Sequence, residues 1–282
     1  MVSRIAASQG MNIFNYQNGR AAVIGALLSG LLASCATGSD TASPQTRLAK
    51  AQAVFAGHCK GAGEKIYRTE SSVQGVVLLK GRPADLNYGD QFMLDDPYGS
   101  DFGGERYVAS FLRSTDPGPN AVLKKPLAGY KFVEAIDPND KLTYRYTGSV
   151  RDIEVTDSVS MGGTGSTRKS KEYVLDRILI PAWTARYGIT YDDISSPEDR
   201  EYWIAGSSLK IIDLQTHEVV AERTGYMIDL GQGSNTGARS PWLMAADHAC
   251  PSFYSAPNGA FFQIGQSARF VKSVLRPNDG GE

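Results

Sequence analysis

The chain is poor in the side chains that supply most acid–base and metal chemistry. Its 282 residues include three histidines and three cysteines. Neither the G-x-S-x-G motif of serine hydrolases nor the glycine–lysine motif of nucleotide-binding P-loops occurs. These absences exclude the best-defined hydrolase and nucleotide-binding motifs, and the sequence therefore predicts no catalytic residue, no metal site and no cofactor.

An excess of charge of either sign is also missing. The 29 lysines and arginines are balanced by 30 aspartates and glutamates. A protein that binds nucleic acid usually carries a basic patch that neutralises phosphates. The composition gives no such patch, so we expect no nucleic-acid partner.

The N-terminal region lacks acidic side chains and has only a short apolar run. Arg4 and Arg20 precede an apolar stretch at residues 21–32, and the first acidic residue is Asp40. About 12 apolar residues are too few for a membrane-spanning helix, which needs roughly 20. A basic flank followed by a short apolar stretch and small residues predicts a secretory signal peptide.

The apolar stretch ends in a four-residue motif, Leu32-Ala33-Ser34-Cys35. This motif resembles the lipobox of bacterial lipoproteins, and the resemblance covers the leader alone. It implies cleavage before Cys35, acylation of that cysteine, for example with palmitate, and anchoring of the protein in a membrane by its acyl chains. By resemblance to enterobacterial sorting, Ala36 implies the periplasmic face of the outer membrane. Met11 is an alternative start.

These features divide the chain into four predicted segments. Residues 1–34 form the lipoprotein signal peptide, and residues 35–43 form a lipidated, flexible tether of small polar side chains. Residues 44–277 form a single α+β periplasmic domain, and residues 278–282 form a loose tail. The part after the leader is long enough to bury a substantial core.

The two remaining cysteines predict a disulfide bond. In an oxidising compartment, an even pair such as Cys59 and Cys250 is expected to be joined. His58 and His248 lie close to these cysteines, so a zinc site is the alternative. The disulfide is favoured, because neighbouring residues on a helix point about 100° apart and grip one ion poorly.

The fold class predicted from the pattern of apolar residues is α+β, a mainly antiparallel sheet with helices at the N- and C-terminal ends of the mature domain. Helices are expected to begin at Ser43-Pro44, Ser196-Pro197 and Ser240-Pro241 and at Gln266. The helix after Pro241 is expected to carry Cys250 on its apolar face. Alternating patterns and turn residues predict strands at 76–80 and 107–112, and hairpins at 130–146, 150–180 and 209–224.

Two features suggest a surface that binds a partner. The second hairpin has a Gly/Ser-rich tip followed by Arg168, Lys169 and Lys171, which can contact an acidic partner or lipid headgroups. Exposed aromatic residues would mark a binding surface. The candidates are Tyr98, Phe102, Tyr187, Tyr191 and Trp203.

Three hypotheses for the function follow. The first is a non-catalytic binding or assembly component of the cell envelope, with the membrane and an envelope protein as partners. The second is a periplasmic immunity lipoprotein that blocks a toxin. The third is an envelope hydrolase centred on Ser234 or on the acidic residues Asp95, Asp101 and Glu105, but such an enzyme would need a base that the sequence does not show.

Overall fold

The computed structural model describes residues 43–88, 91–92, 94–115, 126–156, 167–252 and 263–278. These residues lie in one unit, Ala42–Glu282. Cys35 and the predicted signal peptide lie outside the described residues, as does the hairpin tip at residues 157–166.

Five helices lie within the described residues. They are α1 (Pro44–Cys59), α2 (Glu105–Leu112), α3 (Pro197–Glu201), α4 (Pro241–Ala245) and α5 (Gln266–Val274). The Ser43 hydroxyl caps α1, and Ser196 and Asp199 form a reciprocal capping box on α3. The helix starts predicted from serine followed by proline are therefore confirmed, although the Ser240 side chain makes no capping bond.

Eleven strands occur in the same described residues. They are β1 (Gly63–Ile66), β2 (Glu70–Val73), β3 (Gly75–Leu78), β4 (Phe132–Ile136), β5 (Thr143–Thr156), β6 (Thr167–Leu179), β7 (Tyr187–Asp193), β8 (Ile204–Asp213), β9 (Val219–Ile228), β10 (Ala249–Cys250) and β11 (Leu275–Pro277).

Nine of these strands form one mixed, mainly antiparallel sheet. Their order is β1-β9-β8-β7-β3-β4-β5-β6, and β10 pairs with β9 beyond the end of β1. The parallel pairings in this sheet are those of β3 with β4 and with β7. All four residues of β3 are buried, as expected for a strand covered on both faces. A parallel pair, β2 and β11, forms a second small sheet. The predicted α+β class is confirmed.

Helices cover both faces of the large sheet. Tyr107 and Phe111 from α2 and Val271 and Val274 from α5 pack in one cluster with the apolar side chains of the central strands. Ala51 of α1 packs with Ile204 and Ile228 in a separate cluster. Because Ile204 and Ala205 point to opposite faces of β8, α1 lies on the face opposite to α4, which packs on Ala205.

The three predicted hairpins are confirmed, and the second and third pair over more residues than the alternating patterns indicated. The first turns at residues 137–142, where the Asp137 carboxylate accepts the amide of Asn139. The second joins β5 and β6, which remain paired as far as Thr156 and Thr167. In the third, His217 adopts the expected left-handed conformation, with φ of 62°.

Two predictions about secondary structure are wrong. Residues 107–112 were expected to form a strand, but they belong to α2, where Tyr107 and Phe111 lie one turn apart with their rings in contact edge to face. Gly104, with φ of 59°, begins that helix in a conformation that favours glycine. Cys250 was expected on a helix, but α4 ends at Ala245 and Cys250 pairs in β10 with Tyr226 of β9.

Candidate functional site

The predicted disulfide bond joins the beginning and the end of the described chain. Cys59 ends α1 and Cys250 lies in β10, with 191 residues of separation and a Cα–Cα distance of 5.6 Å. This distance lies in the range usual for disulfides. Because both thiols are consumed, Cys59 and Cys250 cannot be zinc ligands, and the described residues contain no group of side chains arranged to hold a metal ion.

The two histidines beside the cysteines differ in their surroundings. His58 Nε2 lies 2.7 Å from Asp199 Oδ1, and its ring stacks on Tyr226 at a centroid distance of 4.5 Å. Burial raises the pKa of Asp199, but hydrogen bonds from Ser196 and His58 outweigh burial and leave the pKa below its usual value. The His58–Asp199 bond therefore ties α1 to the cap of α3, whereas His248 is exposed.

The predicted basic residues Arg168, Lys169 and Lys171 lie on β6 and are exposed. Lys171 Nζ lies 3.3 Å from the carboxylate of Asp152 across the hairpin. Pairing with β5 therefore makes this segment an ordered ribbon that carries the three basic residues at its surface.

A basic groove lies between α2 and α5, and we call it the arginine groove. Its cavity is about 320 Å³, and no acidic side chain is found among the lining residues that the structure describes. The side chains that matter for binding are Phe102, Arg106, Arg113, Thr115, Ile264 and Arg269. Three cations with no counter-charge in the lining favour an anionic ligand.

Arg106 and Arg113 are positioned by contacts with aromatic rings, and Arg269 is positioned by a hydrogen bond to a backbone carbonyl. The guanidinium of Arg106 lies 5.6 Å from the centre of the Phe102 ring, and that of Arg113 lies 5.3 Å from the Tyr173 ring. Arg269 donates to the carbonyl of Ile264 at 2.8 Å. No ion pair of Arg106 or Arg113 exists within the described ranges.

A buried lysine fixes the end of α2 beneath the groove. Lys272 of α5 is fully buried, and its Nζ donates to Ser110 O at 2.9 Å, Arg113 O at 2.6 Å and Thr115 Oγ1 at 2.6 Å. Burial lowers the pKa of Lys272 to about 7. The three acceptors match the three donors of an ammonium group and satisfy carbonyls that the helix end leaves free.

A carboxylate fixes the start of α5 on the other wall. Asp101 accepts the amides of Gly265 at 2.6 Å and Ser267 at 2.9 Å. Asp101 thus caps a helix, where a negative charge is favourable. The other acidic residues of the suggested hydrolase site lie elsewhere: Asp95 pairs with Lys80 at 2.7 Å and Glu105 begins α2.

A second polar cluster lies in the core and is closed. Asp96 Oδ2 accepts the Ser207 hydroxyl at 2.9 Å, while Oδ1 has no partner among the described atoms. Burial raises the pKa of Asp96 to about 7, against the opposing effect of Arg82. The space in this cluster is about 10 Å³, roughly that of one water molecule, so it does not admit a substrate.

The other candidate residues from the sequence, Ser234 and the five aromatic residues, lie in different parts of the structure. The Ser234 hydroxyl bonds to Thr236 at 3.1 Å and has no histidine or carboxylate partner within the described chain. Of the five aromatic candidates, Tyr98, Tyr187 and Tyr191 are buried in the core. Phe102 lines the arginine groove, and Trp203 lines a different cavity.

The comparisons with known proteins give no family. No family model matches the chain, and no curated protein or solved structure is detectably similar to it. Among the helices of the described residues, none combines the length and the apolar character needed to cross a membrane.

Proposed function

We propose that the protein is a lipoprotein anchored through Cys35 to the periplasmic face of the outer membrane, where it acts as a non-catalytic binding or assembly component of the envelope. We further propose that its arginine groove binds an acidic segment of an envelope protein. The observation that carries the binding proposal is the set of three arginines in a cavity whose described lining residues include no acidic side chain.

The chemistry of the groove supports an acidic peptide as its ligand. Guanidinium groups form paired hydrogen bonds with carboxylates and are well suited to interfaces. Phe102 and Ile264 add apolar surface beside the arginines, and Ile264 is 38% exposed. A segment that combines acidic and apolar side chains would satisfy both parts of the lining.

The rigidity of the groove supports the same proposal. Lys272 holds the end of α2 and Asp101 holds the start of α5, so the elements that carry the arginines are fixed before a partner arrives. A preformed site loses less conformational entropy on binding. The predicted lipobox and the paired cysteines favour an exported protein, in agreement with an envelope partner.

Affinity capture from detergent-solubilised envelopes tests the proposal. The bait is the native lipidated protein, compared with Cys35→Ala and with a double Arg106→Gln, Arg113→Gln variant. A double Lys65→Gln, Arg276→Gln variant is the matched control, because both of these exposed residues lie outside the groove lining and the change in charge is equal.

We expect one envelope protein to be captured by the wild type and by the matched control. The groove variant should weaken capture by at least about tenfold. The Cys35→Ala protein should lack the acyl chains on its mature N-terminus by mass spectrometry and should lose its partner in cells. Equal capture by the groove variant and the control would show that the partner does not bind in the arginine groove.

The hairpin of β5 and β6 favours a second candidate, the immunity lipoprotein. This ribbon pairs 13 residues on each strand and carries the exposed Arg168, Lys169 and Lys171 near its tip. A projecting basic ribbon is a suitable shape for blocking the active site of a toxin. Protection of cells against a periplasmic toxin, lost when these three residues become glutamine, would favour this function over the first.

A further inference from the structure

An aromatic cavity separate from the arginine groove has the composition of a binding site for a small ligand. It is about 200 Å³ and lies beside the N-terminal end of α4. The residues of interest are Asn87, Tyr88, Trp203, Asn235, Arg239 and Trp242. Pockets for drug-sized ligands usually have roughly 300–1,000 Å³, so this one suits a single ring.

The aromatic wall combines a fixed ring with accessible ones. Trp242 is buried, and its ring centre lies 5.0 Å from that of the partly exposed Trp203. Tyr88 is 57% exposed at the same cavity. The indole N–H of Trp242 is buried without an acceptor among the described atoms. The wall therefore offers flat apolar faces to a ligand and leaves one polar group of the ring pair unsatisfied.

The backbone holds Trp203 in an unfavourable conformation. Its φ is 54°, a region that bulky side chains rarely adopt. Its N–H donates to Arg200 O at 3.0 Å, and its carbonyl accepts the amide of Asp229 at 2.9 Å. Gly233 packs so closely on the indole that a Cβ there would lie 2.3 Å from it. Strain of this kind that the surroundings enforce is typical of functional sites.

The cavity is electrically neutral, unlike the arginine groove. Among the lining residues that the structure describes, Arg239 alone is charged, and both of its terminal nitrogens bond to the carboxylate of Asp229, which is 1% exposed. Arg239 also donates to Ser234 O at 2.7 Å. This pairing disfavours phosphate or carboxylate ligands. The uncharged polar side chains of the described lining are those of Tyr88, Asn235 and Ser240, whereas the amide nitrogen of the buried Asn87 already donates to the carbonyls of Pro97 at 2.7 Å and Gly99 at 3.0 Å.

We propose that this cavity binds one ring of an uncharged saccharide, with N-acetylated amino sugars as the favoured class. A sugar ring has an apolar face that packs on aromatic rings, and its hydroxyl groups need hydrogen-bonding partners around the edge. The exposed Asn235 amide complements both hydroxyl and acetamido groups because it can donate and accept. This inference does not depend on the proposed function, since no residue is shared with the arginine groove.

The test is a titration of the full-length protein with the trimer of N-acetylglucosamine, followed by calorimetry and by tryptophan fluorescence. The informative variants are Tyr88→Ala and Asn235→Ala, because both side chains are exposed and should not be needed for folding. The matched controls are Tyr67→Ala and Asn139→Ala, which change exposed residues of the same types outside the cavity.

We expect saturable binding that changes little with salt, a change in tryptophan fluorescence, and at least about tenfold weaker binding for each cavity variant. The controls should bind as the wild type does. Absence of binding would overturn the proposal, as would equal affinity in cavity and control variants. Stronger binding of inorganic phosphate than of the trimer would also overturn it.

Discussion

Removal of the Cys59–Cys250 bond is expected to cost much of the stability of the domain. The bond closes a loop with a sequence separation of 191 residues. In the chain-entropy model the restricted unfolded state loses entropy as the logarithm of loop length, which gives roughly 5 kcal/mol at 25 °C. Because natural domains unfold with about 5–15 kcal/mol, this one bond is a large part of the total.

The experiment compares mature protein carrying Cys35→Ala with the same protein carrying Cys59→Ala and Cys250→Ala as well. Urea unfolding followed by circular dichroism gives the free energy of unfolding of each. We expect a lower midpoint for the variant, and a steeper dependence on urea because its unfolded chain is more expanded. Reduction of the parent protein with a thiol should reproduce the loss.

Two results would refute this reasoning. One is a free energy of unfolding that differs by less than about 1 kcal/mol between the two proteins, which would mean that the loop is restricted by other means. The other is a peptide map of the untreated protein, without reducing agent, in which both thiols are freely alkylated. The structure instead predicts a linked peptide pair that contains Cys59 and Cys250.

Three further predictions concern buried charges. The raised pKa of Asp96, about 7, means that this carboxyl stays protonated in the folded state while it ionises near pH 4 in the unfolded state. The free energy of unfolding should therefore fall as the pH rises from about 4 to about 7. Asp96→Asn should flatten this part of a pH series of urea unfolding. Because the pKa of Asp199 is lowered, its contribution to stability is present above about pH 4 and is lost as the pH falls through its folded value. Asp199→Ala should therefore cost about 1–2 kcal/mol at pH 7, and less in acid, in thermal unfolding. Lys272→Met should increase hydrogen exchange at residues 113–115 and weaken binding in the groove while leaving α5 folded, because it removes three hydrogen bonds to the end of α2. An unchanged pH dependence of stability in Asp96→Asn would contradict the first prediction. The second would be contradicted by an equal loss of stability at neutral and acidic pH in Asp199→Ala, and the third by unchanged hydrogen exchange in Lys272→Met.

The parts of the fold that the sequence predicts well are those with local causes. The turn at residues 137–142 and the capping box of Ser196 and Asp199 depend on side chains within a few positions of one another. The disulfide follows from counting cysteines in a chain for which the N-terminal motif predicts export. The parallel neighbours of β3 come from distant parts of the chain, and no local pattern specifies their order.

The sequence did not predict the arginine groove because residues 107–112 were assigned the two-residue period of a strand instead of the 3.6-residue period of a helix. A six-residue apolar run fits both a strand and a helix, and the strand reading places Arg106 and Arg113 on opposite faces. Two residues seven positions apart on a helix lie on the same face. Arg106 belongs to α2, and Arg113 is the residue that directly follows it. A helix over residues 107–112, which Gly104 before it supports, predicts that these two arginines lie on one side.

The supports of the groove could not be predicted in this way. Asp101 reaches an amide 164 residues away at Gly265, and Lys272 reaches a carbonyl 162 residues away at Ser110. Asp101 was instead suggested as part of an acidic site, since its neighbours in sequence are also acidic. A buried lysine and a capping aspartate at such separations become visible only once the two helices are packed together.

The central claim, that the arginine groove receives an acidic envelope partner, is tested most directly by photo-crosslinking in cells. A photoreactive amino acid replaces Ala109, which lines the groove between the arginines, and in a second strain it replaces Val150, which is 62% exposed on the hairpin. We predict an adduct with one envelope protein from position 109, which disappears with Cys35→Ala and with Arg106→Gln, Arg113→Gln. The absence of an adduct at position 109 would contradict the claim. So would an equally strong adduct at position 150 that the Arg106→Gln, Arg113→Gln substitutions do not change.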